Sequence, residues 1–567
     1  MESRWIIASP EELNGGPISW SELCDSACIT RLLMRKGFAT PDEVKSFLRP
    51  RLNLLSDPFL LPQMDVAVSR IFEALDRQER IVLFGDYDVD GVTSLALLAE
   101  MLRAYGAAPE LFLPLRMEEG YGLSRESVER CCEQHQPQLL IAVDCGTSSV
   151  AEIHDLQRRG VDVIVVDHHE PKSALPEGAA IVNPKIDRES SFHYLCSVGL
   201  VFKLCHALLK TRPLSGFDLK LKLDLVALGT VADIVPLEGE NRTLVHRGAL
   251  EIARSRRIGL RRLMETAAVH PPILTDDIGY RLGPRLNAAG RLSTAEKSLQ
   301  LLLTQDEHEA VGLAELLDKQ NRERQDVEKR LFAAAEEKIA RDYDAERDAA
   351  IVVGERGWHP GVLGIVASRI ARKYHRPAIV IGFDESGVGK GSGRSIEGLS
   401  LVEALSRCDI WLDKYGGHEM AAGLTIHEDK IDLFASAFRR IARELLSDEC
   451  LRPCLRLDHE VTFSDLNPGF LGWHEMLQPF GNGNPQPLFF ARKVEPVVVP
   501  RVINDKHLVF RLRQGNSYRR AIYFDGASAR LPQPPWDVAF RIRGDDYGGE
   551  TLVEIRIEAM RQAEAIN

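Results

Sequence analysis

The sequence predicts a multidomain α/β protein: a parallel-sheet lobe, a long linking helix, a second α/β lobe and a small C-terminal β-barrel. Three observations support this. Between residues 80 and 185 short apolar runs alternate with helical stretches, as in βαβ units whose sheet is buried on both faces. Residues 313 to 353 contain neither Gly nor Pro, which permits an uninterrupted helix. After about residue 450, short alternating strands are separated by turn residues, the pattern of a small barrel. A chain of 567 residues also exceeds what one core supports.

Taken in order, residues 1–45 are expected to form an N-terminal extension. "MESRWIIASP" has an acidic second residue and a four-residue apolar run, unlike a signal peptide. No run of about 20 apolar residues offers a membrane span. Residues 46–300 are expected to form the first lobe. Its strands are "RIVLFG", "LFLPL", "QLLIAVDCG", "VDVIVVDHH" and "AAIVNP", with helices near 124–136 and 149–159. "RLGPRLNAAGRLS" (281–293), rich in Gly, Pro and Arg, reads as a loop. The linking helix is expected over 301–345. Val327, Leu331, Ala335 and Ile339 recur every four residues amid charge, so it reads as largely solvated. The second lobe is expected over 346–448, with glycine-rich "GVGKGSGRS" and "KYGGHEMAAG", and the barrel over 449–567. Between 501 and 543 nine Arg/Lys face three Asp, a local net charge of +6 in a chain of net charge −12. That basic barrel reads as an OB-fold suited to gripping a single strand, with Phe510, Tyr518 and Tyr523 as stacking or core residues. The overall acidity argues against a simple basic nucleic-acid coat. Ten scattered cysteines suggest reduced thiols and a cytoplasmic location. Cys24/Cys28 and Cys450/Cys454 have the wrong spacing for a zinc knuckle.

"FGDYDVDG" (84–91) places Asp86, Asp88 and Asp90 at alternate positions after an apolar run. Residues two apart on a strand point the same way, about 6.6 Å apart, so such carboxylates repel unless protons or cations intervene. A calcium EF-hand loop needs Glu at its twelfth position. Here that position is Leu97, and an apolar strand precedes the loop. Asp144 ends "LLIAVD", Asp167, His168 and His169 end "VDVIVVDHH", and Asp233 follows "LVALGTVA". Each lies just past an apolar run, the edge at which open α/β sheets bind ligands. A set dominated by carboxylate oxygen with one imidazole suits Mn2+ or Mg2+. More than four ligands suggests two ions, and two ions can neutralise charge building on a phosphoryl group. The chemistry implied is hydrolysis of a phosphate ester or anhydride.

"GDYDVDG", "VDCG", "VDHHE" and "GTVAD" resemble, in order and spacing, the four motifs of the DHH phosphoesterase superfamily. "GKGSGRS" and "GGHEMAAG" resemble the associated second domain, which makes that lobe DHHA1-like. "FLRPRLNLLSDPFLLPQMD", "EGYGLS", "GPRLNAAGRLS" and "WHPGVLGIVASRI" narrow the resemblance to the RecJ family of single-strand-specific 5′→3′ DNA exonucleases. It runs from about residue 40 to the C-terminus. By that resemblance Asp88 and Asp90 are a metal-binding pair, Asp144 a ligand that bridges the ions, His168 a further ligand and Asp233 the last. His169 is placed at the scissile phosphate, and Asp144, His168 and His169 are the catalytic set. Asp86 and Asp167 are ligands or orient their neighbours. Many superfamily members carry His four residues before the first metal Asp. This chain has Phe84 there, so water or another carboxylate would complete that ion. Ser392 and Arg394 are implied to bind the 5′ end, helped by Arg116 and Arg291, with His418 facing the same cleft and Tyr121 stacking on a base. The implied activity is metal-dependent degradation of single-stranded DNA from a 5′ end to 5′-mononucleotides in recombination, recombinational repair and mismatch repair. The implied partners are single-strand-binding protein and a RecQ-type helicase, with no membrane. Two rivals stand: a small-substrate phosphodiesterase or pyrophosphatase, which needs no basic barrel, and a non-catalytic single-strand-binding replication factor, which would have lost its acids.

Overall fold

Five parallel strands form the first lobe's sheet, in the order Glu110–Phe112, Ile81–Gly85, Leu139–Val143, Asp162–Val166, Ala180–Val182. The computed structural model describes residues 4–7, 20, 23–115, 119–120, 122–171, 174–292, 294–547 and 550–563. Every residue of Ile81–Gly85 and Leu139–Val143 is buried, because helices cover both faces. Leu83, Ile141 and Val166 pack against Val89–Ala104, Ser197–Thr211 and Leu223–Ala232. On the other face, Phe84, Ala142 and Val165 pack against Arg125–His135 and Val150–Arg158. From Ile81–Gly85 the chain crosses to an edge strand, then returns to pair on the opposite side. This reversal is the topological switch point, and it opens a crevice at the carboxyl ends of Ile81–Gly85 and Leu139–Val143.

Residues 281–292 of the glycine-rich stretch are not a loop. A π-turn, Ile278–Leu282, leads into the helix Gly283–Leu292, and the Gly283 amide bonds back to Ile278 O. Pro284 lacks the N–H that would continue an i→i−4 ladder, and the extra residue of the π-turn absorbs that break.

The linking helix is Glu307–Asp342, 36 residues and about 54 Å long. It is less solvated than its charge suggests. Ala310, Leu313, Ala314 and Leu317 lie in the first lobe's core. Leu331, Ala335 and Ile339 lie in the second lobe's core, beside Val353 and Val366. One helix therefore belongs to both cores and ties their relative position.

The second lobe's sheet runs Lys414–Gly417, Ala421–His427, Val388–Arg394, Ala378–Phe383, Ile351–Arg356. Leu363–Tyr374 covers one face, and Leu401–Ser406 with Ile431–Leu445 the other. The C-terminal strands close into a five-stranded barrel: Phe489–Pro496, Trp536–Tyr547, Glu550–Gln562, Ser517–Tyr523, His507–Gln514 and back to the first. Leu508, Phe510 and Leu512 point inward while Arg511 and Arg513 point out, the alternation a barrel requires. Near the N-terminus, Arg4–Ile7 pairs in parallel with Cys454–Leu457, and Ile29, Leu33 and Val44 share the barrel's core with Phe463, Phe489 and Phe540. The ten cysteines are all free. No described helix is long and apolar enough to cross a membrane.

Candidate active site

Asp86 follows directly on the strand Ile81–Gly85 and is buried. Asp88 caps the helix Val89–Ala104, its Oδ1 accepting the Gly91 amide at 3.1 Å. A Cβ at Gly91 would stand 2.4 Å from Asp86 O, so the close approach of strand end and helix requires the motif's glycine. Asp90, in the helix's first turn, accepts the amides of Ser197 and Val198 at 2.7 and 2.9 Å. Its carboxylate thus sits on the N-terminus of Ser197–Thr211, where amides and the helix dipole favour an anion.

Asp144 leaves its strand with φ 62, a left-handed conformation that costs about 1–3 kcal/mol and gathers at functional sites. Its Oδ1 accepts the Ser197 hydroxyl at 2.8 Å and lies 3.5 Å from His168 Nε2. The same His168 nitrogen lies 3.6 Å from Asp233 Oδ2. That Asp233 oxygen is buried with no hydrogen-bond partner among the described residues.

Three sets of ligand atoms lie within 4.8 Å of one another: Asp86, Asp88 and Asp144; Asp90, His168 and Asp233; Asp144, His168 and His169. Asp144 and His168 each belong to two sets, so adjoining positions share ligands. Burial, compounded by the Asp88 charge, pushes Asp90 up to about 7. Burial and the charges of Asp90, Asp88, Asp86 and Asp233 push Asp144 well above the usual carboxylate range. Burial, Asp90 and Asp88 do the same to Asp233. Burial, reinforced by His169, lowers His168 to about 3, so its nitrogen is a neutral ligand at ordinary pH. Clustered buried acids, an orphaned carboxylate oxygen and a neutral imidazole are the donor set that hard or borderline divalent cations fit.

Asp167 is occupied differently. It accepts the amides of Thr147, His168 and His169 at 3.1, 2.8 and 3.1 Å, and faces His169 Nδ1 at 2.7 Å. Burial opposes its charge, yet these donors and the His169 charge hold it well below the usual range. Burial likewise opposes charge on His169, and the Asp167 hydrogen bond holds it above the ordinary histidine value. Phe84 stays out of the site: it stacks on Phe112 at 5.0 Å in the apolar layer beneath the sheet.

On the facing side, Arg394 donates to Ser392 Oγ at 3.2 Å and to Gly393 O at 2.8 Å. It has no carboxylate partner among the described residues, and burial lowers its pKa. Both side chains border the first turn of Leu363–Tyr374, where a Cβ at Gly364 would stand 3.0 Å from Ser392 Oγ and 3.1 Å from Arg394 Nη2. A guanidinium, a hydroxyl and a helix N-terminus make an anion cradle. Arg291 lies between cradle and acids. Its Nη1 donates to Gly361 O at 3.0 Å, and a Cβ on the adjoining Gly290 would stand 2.8 Å from Tyr87 O. His418 occupies the exposed turn whose Ala421 pairs with Arg394, the His418 amide bonding Ala421 O at 2.8 Å. Arg116 and Tyr121 lie outside the described residues.

In the barrel, Phe510 is core, set edge-on to Trp536, and Tyr523 packs against the core. Tyr518 is 45% exposed with the Arg511 guanidinium 5.4 Å from its ring. The +6 counted over 501–543 is smaller in three dimensions. Arg513 pairs with Glu495, Arg520 with Asp545 and Arg541 with Glu558, acids just beyond that window. Ser197 was not anticipated from the sequence, nor were Thr147 and Asn183, whose Nδ2 donates to Thr147 Oγ1 and His169 O, both at 2.9 Å. "CSVG" opening a helix was the only signal for Ser197.

Comparison with known proteins gives three family matches along the chain: the DHH family N-terminal domain over residues 80–230, the DHHA1 domain over 348–444 and the RecJ OB domain over 457–559. A single-stranded-DNA-specific exonuclease RecJ from Dickeya dadantii is 35% identical, covering 96% of this chain and 98% of its own. The chain belongs to the RecJ family. The RecJ of Bacillus subtilis is 36% identical over 92% of this chain, which spans 66% of that relative's length. The crystal structure of RecJ from Thermus thermophilus in complex with Mn2+ superposes with a TM-score of 0.83 at 32% identity, covering 99% of this chain and 80% of that one. A RecJ–Mg2+ structure from the same organism matches at a TM-score of 0.77, with 30% identity over 99% of this chain and 79% of the other.

Proposed function

We propose that this RecJ-family chain hydrolyses single-stranded DNA from a 5′ end, releasing 5′-mononucleotides, with Mn2+ or Mg2+ as cofactor. The observation that carries the reading is one crevice holding buried acids and a neutral histidine, with an anion cradle joined to it through Arg291. Asp86, Asp88 and Asp144 would hold one ion, and Asp90, His168 and Asp233, with Asp144 shared, the other. When bound, the ions neutralise charge on the transferring phosphoryl group and lower the pKa of a water. Ser197 fixes the Asp144 carboxylate so that it reaches both positions. Asp167 fixes His169 through Nδ1, and by resemblance His169 contacts the scissile phosphate. Ser392 and Arg394 receive a terminal 5′ phosphate, and Arg291 and His418 border the strand's path, as do Arg116 and Tyr121 by resemblance. Tyr518 with Arg511 offers a stacking surface on the barrel.

A cytoplasmic location fits the free cysteines, and a role in recombination, recombinational repair and mismatch repair fits the substrate. Single-strand-binding protein and a RecQ-type helicase are the partners that suit an enzyme consuming an exposed strand. The test is product analysis on 5′-phosphorylated single strands, blunt duplexes and dinucleotides, each with Mn2+, Mg2+ or EDTA. Mononucleotides should appear from the single strand alone, and only with a divalent cation. Equal cleavage of dinucleotide and long strand would favour a small-substrate phosphodiesterase instead.

A further inference from the structure

Ile234, the residue after Asp233, departs from the norm twice. Its φ is 60, a region that costs a β-branched residue most, and it is 71% exposed despite its apolar side chain. The force holding it there comes from the barrel domain. Asn482 Nδ2 donates to Ile234 O at 2.8 Å, and the Leu237 amide donates to Asn482 O at 2.7 Å. A Cβ on Gly483 would stand 2.8 Å from Glu238 Oε1 and 3.1 Å from Pro236 Cβ. The "GNGN" turn (481–484) therefore fits the 234–238 segment with no space for a side chain.

That turn has a firm base. Asn484 Nδ2 donates to the carbonyls of Leu477 and Pro479, both at 2.8 Å. Arg242 of the first lobe donates to the carbonyls of Met476 and Gln478 at 3.2 and 2.7 Å, and Thr275 Oγ1 to Phe480 O at 2.7 Å. Asp233 itself caps the helix Leu223–Ala232, its amide donating to Gly229 O at 2.9 Å, and its buried Oδ2 has no hydrogen-bond partner among the described residues. The carboxylate's position thus depends on the helix's last turn staying closed, and the 234–238 segment continues directly from that turn.

We propose that Asn482 is a positioning residue for the cation centre: through the Ile234 carbonyl it holds the left-handed turn that keeps Asp233 opposite His168. The inference rests on the reading of Asp233 as a cation ligand. Releasing the Ile234 carbonyl frees the 234–238 segment and lets the helix's last turn fray, and the Asp233 carboxylate carried on that turn moves with it. The barrel domain then acts on the reaction without touching the reacting atoms.

The test is calorimetric titration of Mn2+, without DNA, into the full chain, with thermal denaturation in EDTA alongside. Asn482→Ala should weaken Mn2+ binding about tenfold, the scale expected for supports of metal ligands. Asn482→Asp, which keeps size and loses the amide donor, should do the same and serves if the alanine variant does not fold. Ile234→Gly adopts φ 60 without strain, so N482A combined with I234G should bind Mn2+ within about twofold of I234G alone, a non-additive coupling. Wild-type binding with unchanged affinity in N482A and N482D would overturn the inference alone, whatever the melting temperature does. An equal loss in the double variant would also overturn it. A wild-type chain that binds no Mn2+ would overturn the proposed function and this inference together.

Discussion

Asp144 stands where the local charges meet: left-handed at a strand end, bonded to Ser197 and within 3.5 Å of His168. Without a cation its charge is opposed by burial and four neighbouring acids. Asp144→Asn should therefore raise the melting temperature in EDTA while abolishing the Mn2+-dependent rise. It should cut turnover about a thousandfold, as loss of a central electrostatic group does, with strand binding retained in a gel-shift assay. Asp167→Asn tests the orienting role. Because Asp167 serves four donors and no cation set, it should lower kcat about 10–100-fold and leave calorimetric Mn2+ affinity within about threefold of wild type. The alternation of Asp86, Asp88 and Asp90 is not that of a strand: only Asp86 adjoins the strand, while Asp88 caps the next helix and Asp90 lies in its first turn. The acids were legible in the sequence because each follows an apolar run. Ser197 was not, since it reaches Asp144 across 53 positions and Asp90 across 107, and no local pattern reports such a contact. Phe84 was legible only as a departure; its packing on Phe112 shows that the position serves the core here.

At the scale of elements, the helix Gly283–Leu292 sets how closely the two lobes approach. Gly290 meets Tyr87 O and Arg291 reaches Gly361 O. Gly290→Val should force the acidic loop and the helix apart, lowering kcat/KM on single strands by about tenfold or more, while Mn2+ binding persists. Arg394→Ala should act on substrate choice: the preference for 5′-phosphate over 5′-hydroxyl strands should collapse, as expected when a guanidinium partner of a phosphate is lost. The barrel's buried His474 gives a pH signature. Its ring nitrogens have no hydrogen-bond partner among the described residues, and burial, with Arg541 beside it, lowers it to about 4. The unfolded chain binds more protons between that value and the ordinary histidine range, so stability falls as pH drops through that window. His474→Leu should flatten this acid limb in thermal melts by about 5 °C. Local composition misjudged two elements. Gly and Pro in 281–293 read as a loop, but packing against Tyr87 and the π-turn make them helical. The charge on 307–342 hid an apolar stripe that changes partner halfway, from the first lobe's core to the second's.

For the whole molecule, the lobes, helix and barrel were legible because each has its own hydrophobic period. How they dock was not, because docking rests on single long-range contacts. Arg242 is the plainest case: buried, it stacks on Phe47 at 3.7 Å and donates to carbonyls of Phe47, Met476 and Gln478. Arg242→Met should destabilise the chain by about 3 kcal/mol through carbonyls left unpaired, and melt the barrel separately from the first lobe in a calorimetric scan. The net basic surface of the barrel was likewise overread, since Glu495, Asp545 and Glu558 lie outside the basic run yet pair with it.

The central claim is that divalent cations neutralise the acids gathered at the first lobe's switch point. Anomalous diffraction from crystals of the full chain grown with Mn2+ tests it most directly. Two peaks about 3.5–4 Å apart, bounded by Asp86, Asp88, Asp90, Asp144, His168 and Asp233, are predicted. A map with no anomalous peak among these side chains, at a Mn2+ concentration that supports cleavage, would contradict the account.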